Sequence, residues 1–439
     1  MTTATRVVGA PAAPLRHNRQ FRLLWVGQAL SAFGSSMSGV ALPLVLLAAG
    51  HPVTAVAAVG TAVAAAGLAA RIPAGFISDR YDERALLIGC DLVRLVAIGA
   101  VAVCAAVRPL PLWLAFGAVI VSAVAVEVFK PSQFRLVRRV VTEEQIPSAV
   151  SLNQARSYGA EIAGPAAAGL LIGLRPALPF TIDALTFLVS AVCVAAAVPA
   201  LRAVSAAPHA QPADGAAAPA GPGAGKGPEP GFWHRFTLGW RHLARDPFLR
   251  RSTAYFCGLT VMFTAFGSAL VLGVGREHGG AQAVGWSVST AAVAGLLGSL
   301  AAPRVQRLLP LPAIVTIGPA AAALLLLTAW LTGATLAFVA GFSAMCLLVP
   351  VINASVSTVM ATSVPKEIYG RVATANDFVV QLLQPFGPLA AGLLLSRSLP
   401  TTAAVLAAGF GVLAILAVTL PTLGRARTVP AEAGLGVKP

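Results

Sequence analysis

Apolar stretches of roughly twenty residues recur along the chain from Phe21 almost to Leu423, parted by short polar or proline-containing breaks. As helix, about twenty residues cross about 30 Å of hydrocarbon. Only 11% of the 439 residues are charged and 57% are hydrophobic, against about 25% charged in an ordinary soluble chain. A soluble multidomain protein is excluded. The pattern predicts membrane helices over 21–48, 53–77, 85–107, 111–134, 148–173 and 179–199, then 248–274, 284–302, 312–331, 335–363, 371–395 and 400–422. Between the two sets, Ala203 to Gly231 is dominated by Ala, Pro and Gly without an apolar period, the composition of a flexible linker. The expected organisation is a tail (1–20), a six-helix bundle (21–201), a partly disordered linker (202–247), a second six-helix bundle (248–423) and a tail (424–439). The fold class is an all-α polytopic membrane protein of twelve transmembrane helices in two pseudo-symmetric six-helix bundles.

The net charge is +15, and its placement carries more information than its size. Of the 31 Lys and Arg, Arg71, Arg94 and Arg156 fall inside helices, and Arg108, Arg175, Arg276 and Arg397 fall in loops on one side. All the others lie on the side of the two termini. By the positive-inside rule that side is cytoplasmic, so a cell (inner or plasma) membrane protein with both ends inside is expected. No basic stripe carries interleaved aromatics, which argues against nucleic acid as a partner. The start lacks an apolar h-region, so the first membrane helix is expected to direct insertion. Cys90, Cys104, Cys193, Cys257 and Cys346 all lie in apolar stretches without paired spacing and read as small buried hydrophobes.

A shift of 223 residues lays the segment from Val141 over that from Val364, matching Glu144 with Glu367, Asn153 with Asn376, Gly164 with Gly387, Pro165 with Pro388 and Gly169 with Gly392. The fifth helix is thereby equated with the eleventh. Two similar halves around a shared pseudo-axis are how many secondary transporters enclose a midplane site.

After the second helix the chain reads Gly75, Phe76, Ile77, Ser78, Asp79, Arg80, Tyr81, Asp82, Glu83, Arg84. Gly, three residues, Asp and Arg at this place resembles the loop signature of the major facilitator superfamily, although Asp82 and Glu83 stand where that family usually has Gly and a basic residue. Gly75 would let two helices approach, Asp79 would accept from helix N-terminal amides of the other half, and Arg80 and Arg84 would pair with carboxylates or lipid phosphates, together forming a gating latch. The equivalent loop after helix eight, Gly298 to Arg307, has no carboxylate. Gly159, Gly164, Pro165 and Gly169 on helix five resemble the Gly-Pro antiporter motif of the superfamily's exporters, where small residues allow close contact and proline bends the helix. Further stretches, among them "NRQFRLLWVGQALSAFG", "GCDLVRLVAIGA" and "DALTFLVSA", are similar to the branch containing the enterobactin exporter. Relatives of that branch often carry an Asp on helix one where this chain has Ser35.

Acidic residues inside the membrane are costly and therefore functional candidates. Glu161, three and four residues before Gly164 and Pro165, is the first choice for proton coupling. Glu127 is a second, with pairing to Lys130 at i+3 as its other role. Asp183, close to the start of helix six after Thr181, suits a helix-start role or coupling. Asp91 with Arg94, and Arg371 with Asp377, read as charge pairs at the inner gate. Trp233 to Arg251 reads as an interfacial helix or a plain solvated lead-in.

No catalytic residues, cofactor or metal are expected: the histidines lack ligand spacing and no Walker loop or GxSxG occurs. The reading is therefore a monomeric secondary transporter that exports small organic molecules by proton antiport, not an enzyme. Its partners are the lipid bilayer, a small-molecule substrate of drug, siderophore or secondary-metabolite type, and protons as coupling ion, exchanged by alternating access. An uptake symporter and a non-transporting sensor or scaffold are the competing readings.

Overall fold

The computed structural model describes residues 18–197, 247–277, 280–363 and 366–419, with Leu15 and Ala244 besides, while the side chains of residues 147, 247, 248, 277, 358–371, 374 and 419 are not described. The expected tails at 1–20 and 424–439, the linker, most of the lead-in from Trp233 and the Arg371 side chain therefore lie wholly or largely outside the described residues. Every longer element within them is an α-helix, as a chain in hydrocarbon requires, because each segment must satisfy its own backbone N–H and C=O groups.

The first six helices are α1 (Arg19–Ala48), α2 (Val53–Arg80), α3 (Glu83–Val107), α4 (Leu112–Val140), α5 (Ile146–Leu174) and α6 (Leu178–Ala197). After the central segment come α7 (Pro247–Glu277), α8 (Gly280–Leu308), α9 (Leu311–Thr332), α10 (Thr335–Ser363), α11 (Lys366–Leu382), α12 (Phe386–Leu395) and α13 (Leu399–Thr419). Among the described residues eleven segments are long and apolar enough to span a membrane, α11 and α12 sharing one of them. Helix α5, 29 residues long, is the remaining membrane-length helix. Asn153, Gln154, Arg156 and Glu161 interrupt its apolar run.

Local chemistry sets the boundaries. Asn18 caps α1 by accepting from the Phe21 amide at 3.0 Å, while its own amide donates to the Val140 carbonyl at 2.8 Å. Asp82 caps α3 by accepting from the Ala85 amide at 3.0 Å, which leaves a two-residue turn after α2. Gly333, at φ +67°, closes α9 in the left-handed conformation that glycine adopts without cost.

The eleventh membrane segment is not the single helix expected over 371–395. It starts at Lys366 and breaks between Leu382 and Phe386. Pro385 has no amide to donate and its ring crowds the preceding turn, so the amides of Phe386 and Gly387 turn back to Leu383 and Gln384, three residues away. The second helix runs to Arg80 rather than ending at 77, which puts Asp79 and Arg80 on its last turn.

The chain divides into two compact units, Met1–Gly50 with Ala62–Gly223 and His51–Thr61 with Ala224–Pro439. In the first, α6 packs on α1 and α3, α1 on α5, and α3 on α4. In the second, α13 packs on α9 and α7, α7 on α12 and α8, and α10 on α8 and α9. The repeat is visible in how each unit is knit. A Cβ on Gly164 would meet Ser36 Cβ at 2.7 Å and the Met37 amide at 3.0 Å, and one on Gly387 would meet the Ala265 amide at 2.8 Å. In both units the first helix lies directly on the repeat glycine, a contact that tolerates no side chain.

Candidate functional site

Beside the α1–α6 crossing of the first unit lies a set of charges that a membrane interior would ordinarily reject. Asp91 on α3 is 0% exposed, Asp183 on α6 is 1% exposed and Arg94 on α3 is 7% exposed. At 1.5 Å per residue Asp91 lies about 12 Å along α3 and Arg94 about 17 Å, well inside the bilayer. Arg94 donates to Ser35 Oγ at 2.7 Å, which in turn donates to the Ser31 carbonyl at 2.7 Å. Its guanidinium also sits 4.0 Å from the centroid of the Phe187 ring, a cation–π contact. Asp91 and Asp183 are the acids whose charges act on Arg94. Both oxygens of Asp91 and Oδ1 of Asp183 are buried, with the hydroxyl of Ser190 beside Asp91 and those of Ser38, Thr186 and Ser35 beside Asp183.

Gly34 allows this arrangement, since a Cβ there would meet Asp183 Oδ1 at 2.6 Å and Thr186 Oγ1 at 2.5 Å. Chemically, the cluster holds one guanidinium and two carboxylates. The set holds one negative charge in excess when both acids are ionised and is neutral after binding one proton.

A second polar set joins α1, α4 and α5. Gln28 Oε1 accepts from Gln133 Nε2 at 2.6 Å and from Arg156 Nη1 at 2.6 Å. Gln28 is 3% exposed, and its Nε2 and the Nε of Arg156 are buried without an acceptor.

The residues singled out from the sequence are distributed as follows. Asp91 and Arg94 sit deep in α3, and no ion-pair contact joins them; Asp183 lies in the interior of α6, which starts at Leu178, and not at a helix start. Glu161 is exposed while Gly164 and Pro165 are buried, so the glycine–proline face turns into the unit and the acid lies at its edge. Glu127 pairs with Lys130 at 2.8 Å and with Arg71 at 3.5 Å.

In the loop signature, Asp79 is bound by Arg135 of its own unit at 2.6 Å, and Arg139 holds Glu83 at 2.9 Å. Arg84 donates to the Ala195 carbonyl at 3.1 Å and Arg80 is exposed. A Cβ on Gly75 or on Gly159 would meet nothing within 4 Å, so neither glycine marks a close approach here. Gly169 is buried on α5, and Asp377 is exposed on α11.

The sequence reading passed over Gln28 and Gln133 entirely and noted Arg156 only as lying in a helix. Polar side chains inside otherwise apolar segments were the available signal.

No curated protein matches this chain in sequence. In fold it is similar to the crystal structure of the nucleoside transporter NupG in its D323A form, with TM-score 0.69 and 12% identity over 91% of this chain and 99% of that one. It is also similar to a POT family transporter in complex with a thioalcohol-conjugated peptide, with TM-score 0.66 and 12% identity over 92% and 96%. A third likeness is to a bacterial homolog of the human lysosomal transporter Spinster in an inward-facing, unoccupied conformation, with TM-score 0.64 and 14% identity over 93% and 96%. The Major Facilitator Superfamily profile matches residues 24–385, and with that span of sequence and this arrangement of membrane helices the chain belongs to the Major Facilitator Superfamily of transporters.

Proposed function

We propose that this transporter exports small organic molecules of drug, siderophore or secondary-metabolite type in exchange for protons, with Asp183 as the proton-binding group and Asp91 and Arg94 as the charges that set its balance. The observation that supports the coupling is the pair of buried carboxylates clustered with one buried guanidinium. A buried charge without a counter-charge is costly, and one proton removes the excess. Where relatives carry an acid on helix one this chain has Ser35, and Asp183 of α6 lies against the neighbouring Gly34. Arg94, held by Ser35 and Phe187, answers the protonation state of either acid.

Export rather than uptake is supported by Gly164 and Pro165, both buried on α5, with Gly164 seated against α1 at Ser36 and Met37. This is the place of the antiporter-like motif. Cytoplasmic termini are supported by the distribution of Lys and Arg.

Inverted membrane vesicles containing the protein, acidified inside, should accumulate a substrate found by comparing deletion and overexpression strains, and a protonophore should abolish accumulation. Asp183→Asn should transport down a substrate gradient but lose concentrative export. Accumulation indifferent to the protonophore would remove proton coupling, and accumulation only in right-side-out vesicles would convert the reading to uptake.

A further inference from the structure

The charge of Arg156 is unanswered. It lies about 15 Å along α5 by helical rise, and among the described residues its hydrogen-bond partner is the neutral Gln28 Oε1 at 2.6 Å. None of the ion pairs among the described residues includes it. Its Nε is buried with no acceptor, as is Nε2 of Gln28. Glu161, the next acid along α5, is exposed five residues further on. Arg156 is half-buried with its Nε fully enclosed, and a guanidinium held inside a membrane helix without a carboxylate is costly.

Three helices contribute to keeping it there. Gln28 lies about 14 Å from the start of α1 and Gln133 about 11 Å from the end of α4. Because successive membrane helices alternate in direction, these depths and that of Arg156 fall on one level. Gln133 donates to the same Gln28 Oε1 at 2.6 Å, which fixes the amide with its Nε2 turned away as a free donor. The place thus offers N–H donors and one positive charge, with the Gln28 acceptor already taken by two donors.

We propose that Arg156, with the Gln28 amide, binds the anionic group of the transported molecule, and that this group is a carboxylate on an organic monoanion. The guanidinium fork matches a planar carboxylate through two parallel hydrogen bonds. One positive charge balances one negative charge; a phosphate monoester brings nearly two at neutral pH and would leave the site charged. The inference rests on the transport reading for the identity of the bound molecule as cargo.

The test is thermal unfolding of the full-length protein in detergent with benzoate, salicylate and indole-3-acetate, each beside its neutral amide, and with sodium phosphate and sodium chloride as separate arms. At least one carboxylate is expected to raise the melting temperature by several degrees where its amide does not. Arg156→Gln should weaken that binding by about tenfold or more, the loss of a charge-assisted pair, and Arg156→Lys should keep part of it. Without ligand, Arg156→Gln should melt at the wild-type temperature or above, since it removes an unanswered charge.

A lower ligand-free melting temperature in Arg156→Gln would mark a structural arginine and overturn the proposal. So would carboxylates no better than their amides, or stabilisation unaffected by Arg156→Gln. Equal stabilisation by phosphate or chloride alone would overturn the carboxylate assignment in favour of an inorganic-anion site. Detergent carries neither a gradient nor sidedness, so missing carboxylate binding beside intact proton-driven export sinks this inference alone. Binding without transport sinks the transport reading alone.

Discussion

The two units share a scaffold and differ in what they put inside it. Ser36 and Met37 lie on Gly164, and Thr264 and Ala265 lie on Gly387, so the first helices of the units correspond at a constant offset. Trp25 and Thr253 are equivalent by the same offset, and each hydrogen-bonds to the repeat helix, Trp25 to the Leu152 carbonyl at 3.1 Å and Thr253 to Asn376 Oδ1 at 2.7 Å. Carried along the helices, this equivalence puts Phe263 where the first unit has Ser35, and Phe256 and Val379 where it has Gln28 and Arg156. The second unit is centred on rings: Phe266 has its centroid 5.0 Å from Phe338, 5.2 Å from Phe342 and 5.9 Å from Phe410. Duplication thus preserved the helix crossings, which depend on small residues, and left the interiors free to diverge. One unit holds charge and the other holds shape.

Removing one member of each interior should separate the two kinds of stability most strongly. Arg94→Ala leaves two buried carboxylates without their cation and should cost about 3–5 kcal/mol, read as loss of folded protein in thermal unfolding. The double variant Arg94→Gln with Asp183→Asn should recover much of that loss, because it lowers the charge left behind. If the double variant is no better than the single one, the first unit is not held by charge balance.

Phe266→Ala, fully buried among rings, should cost about 3 kcal/mol or more through the cavity it leaves, with no response of transport to proton coupling beyond lost protein. A coupling defect at normal folded yield would show that the aromatic unit also takes part in the proton cycle.

Gly164→Ala and Gly387→Ala test the shared scaffold. Each forces a methyl into backbone-level contact, and each should cost about 1–3 kcal/mol, the two alike. A large difference measured by the same unfolding assay would break the structural equivalence of the units. Asp79→Asn comes last: its partner Arg135 is held at an exposed carboxylate, 78% accessible, and the change should cost under about 1 kcal/mol. A larger loss would give the loop signature a structural role beyond its surface pair.

Much of the fold was legible in the sequence. An apolar segment of membrane length is a local property, so the spans, their grouping into six and six and the repeat could be read without coordinates. Pro385 was also in plain view, but the periodicity continues across it, so the break in the eleventh segment needed the backbone. The site was far less legible. Asp183 lies 89 residues after Arg94, and Glu161 is the acid the sequence favours because it shares a helix with Gly164 and Pro165. The structure turns Glu161 outward and brings Asp183 against Gly34.

The physical reason is that these helices are apolar nearly all round. A soluble helix announces its buried face by its polar one, whereas a membrane helix buries small and polar residues and shows apolar ones to lipid, so its rotation is not written in its periodicity. The sequence by itself determined how many times this chain crosses the membrane and that it does so as two related halves. Only tertiary packing decided which polar side chains meet, because that depends on the few glycine contacts that set each helix's rotation and depth.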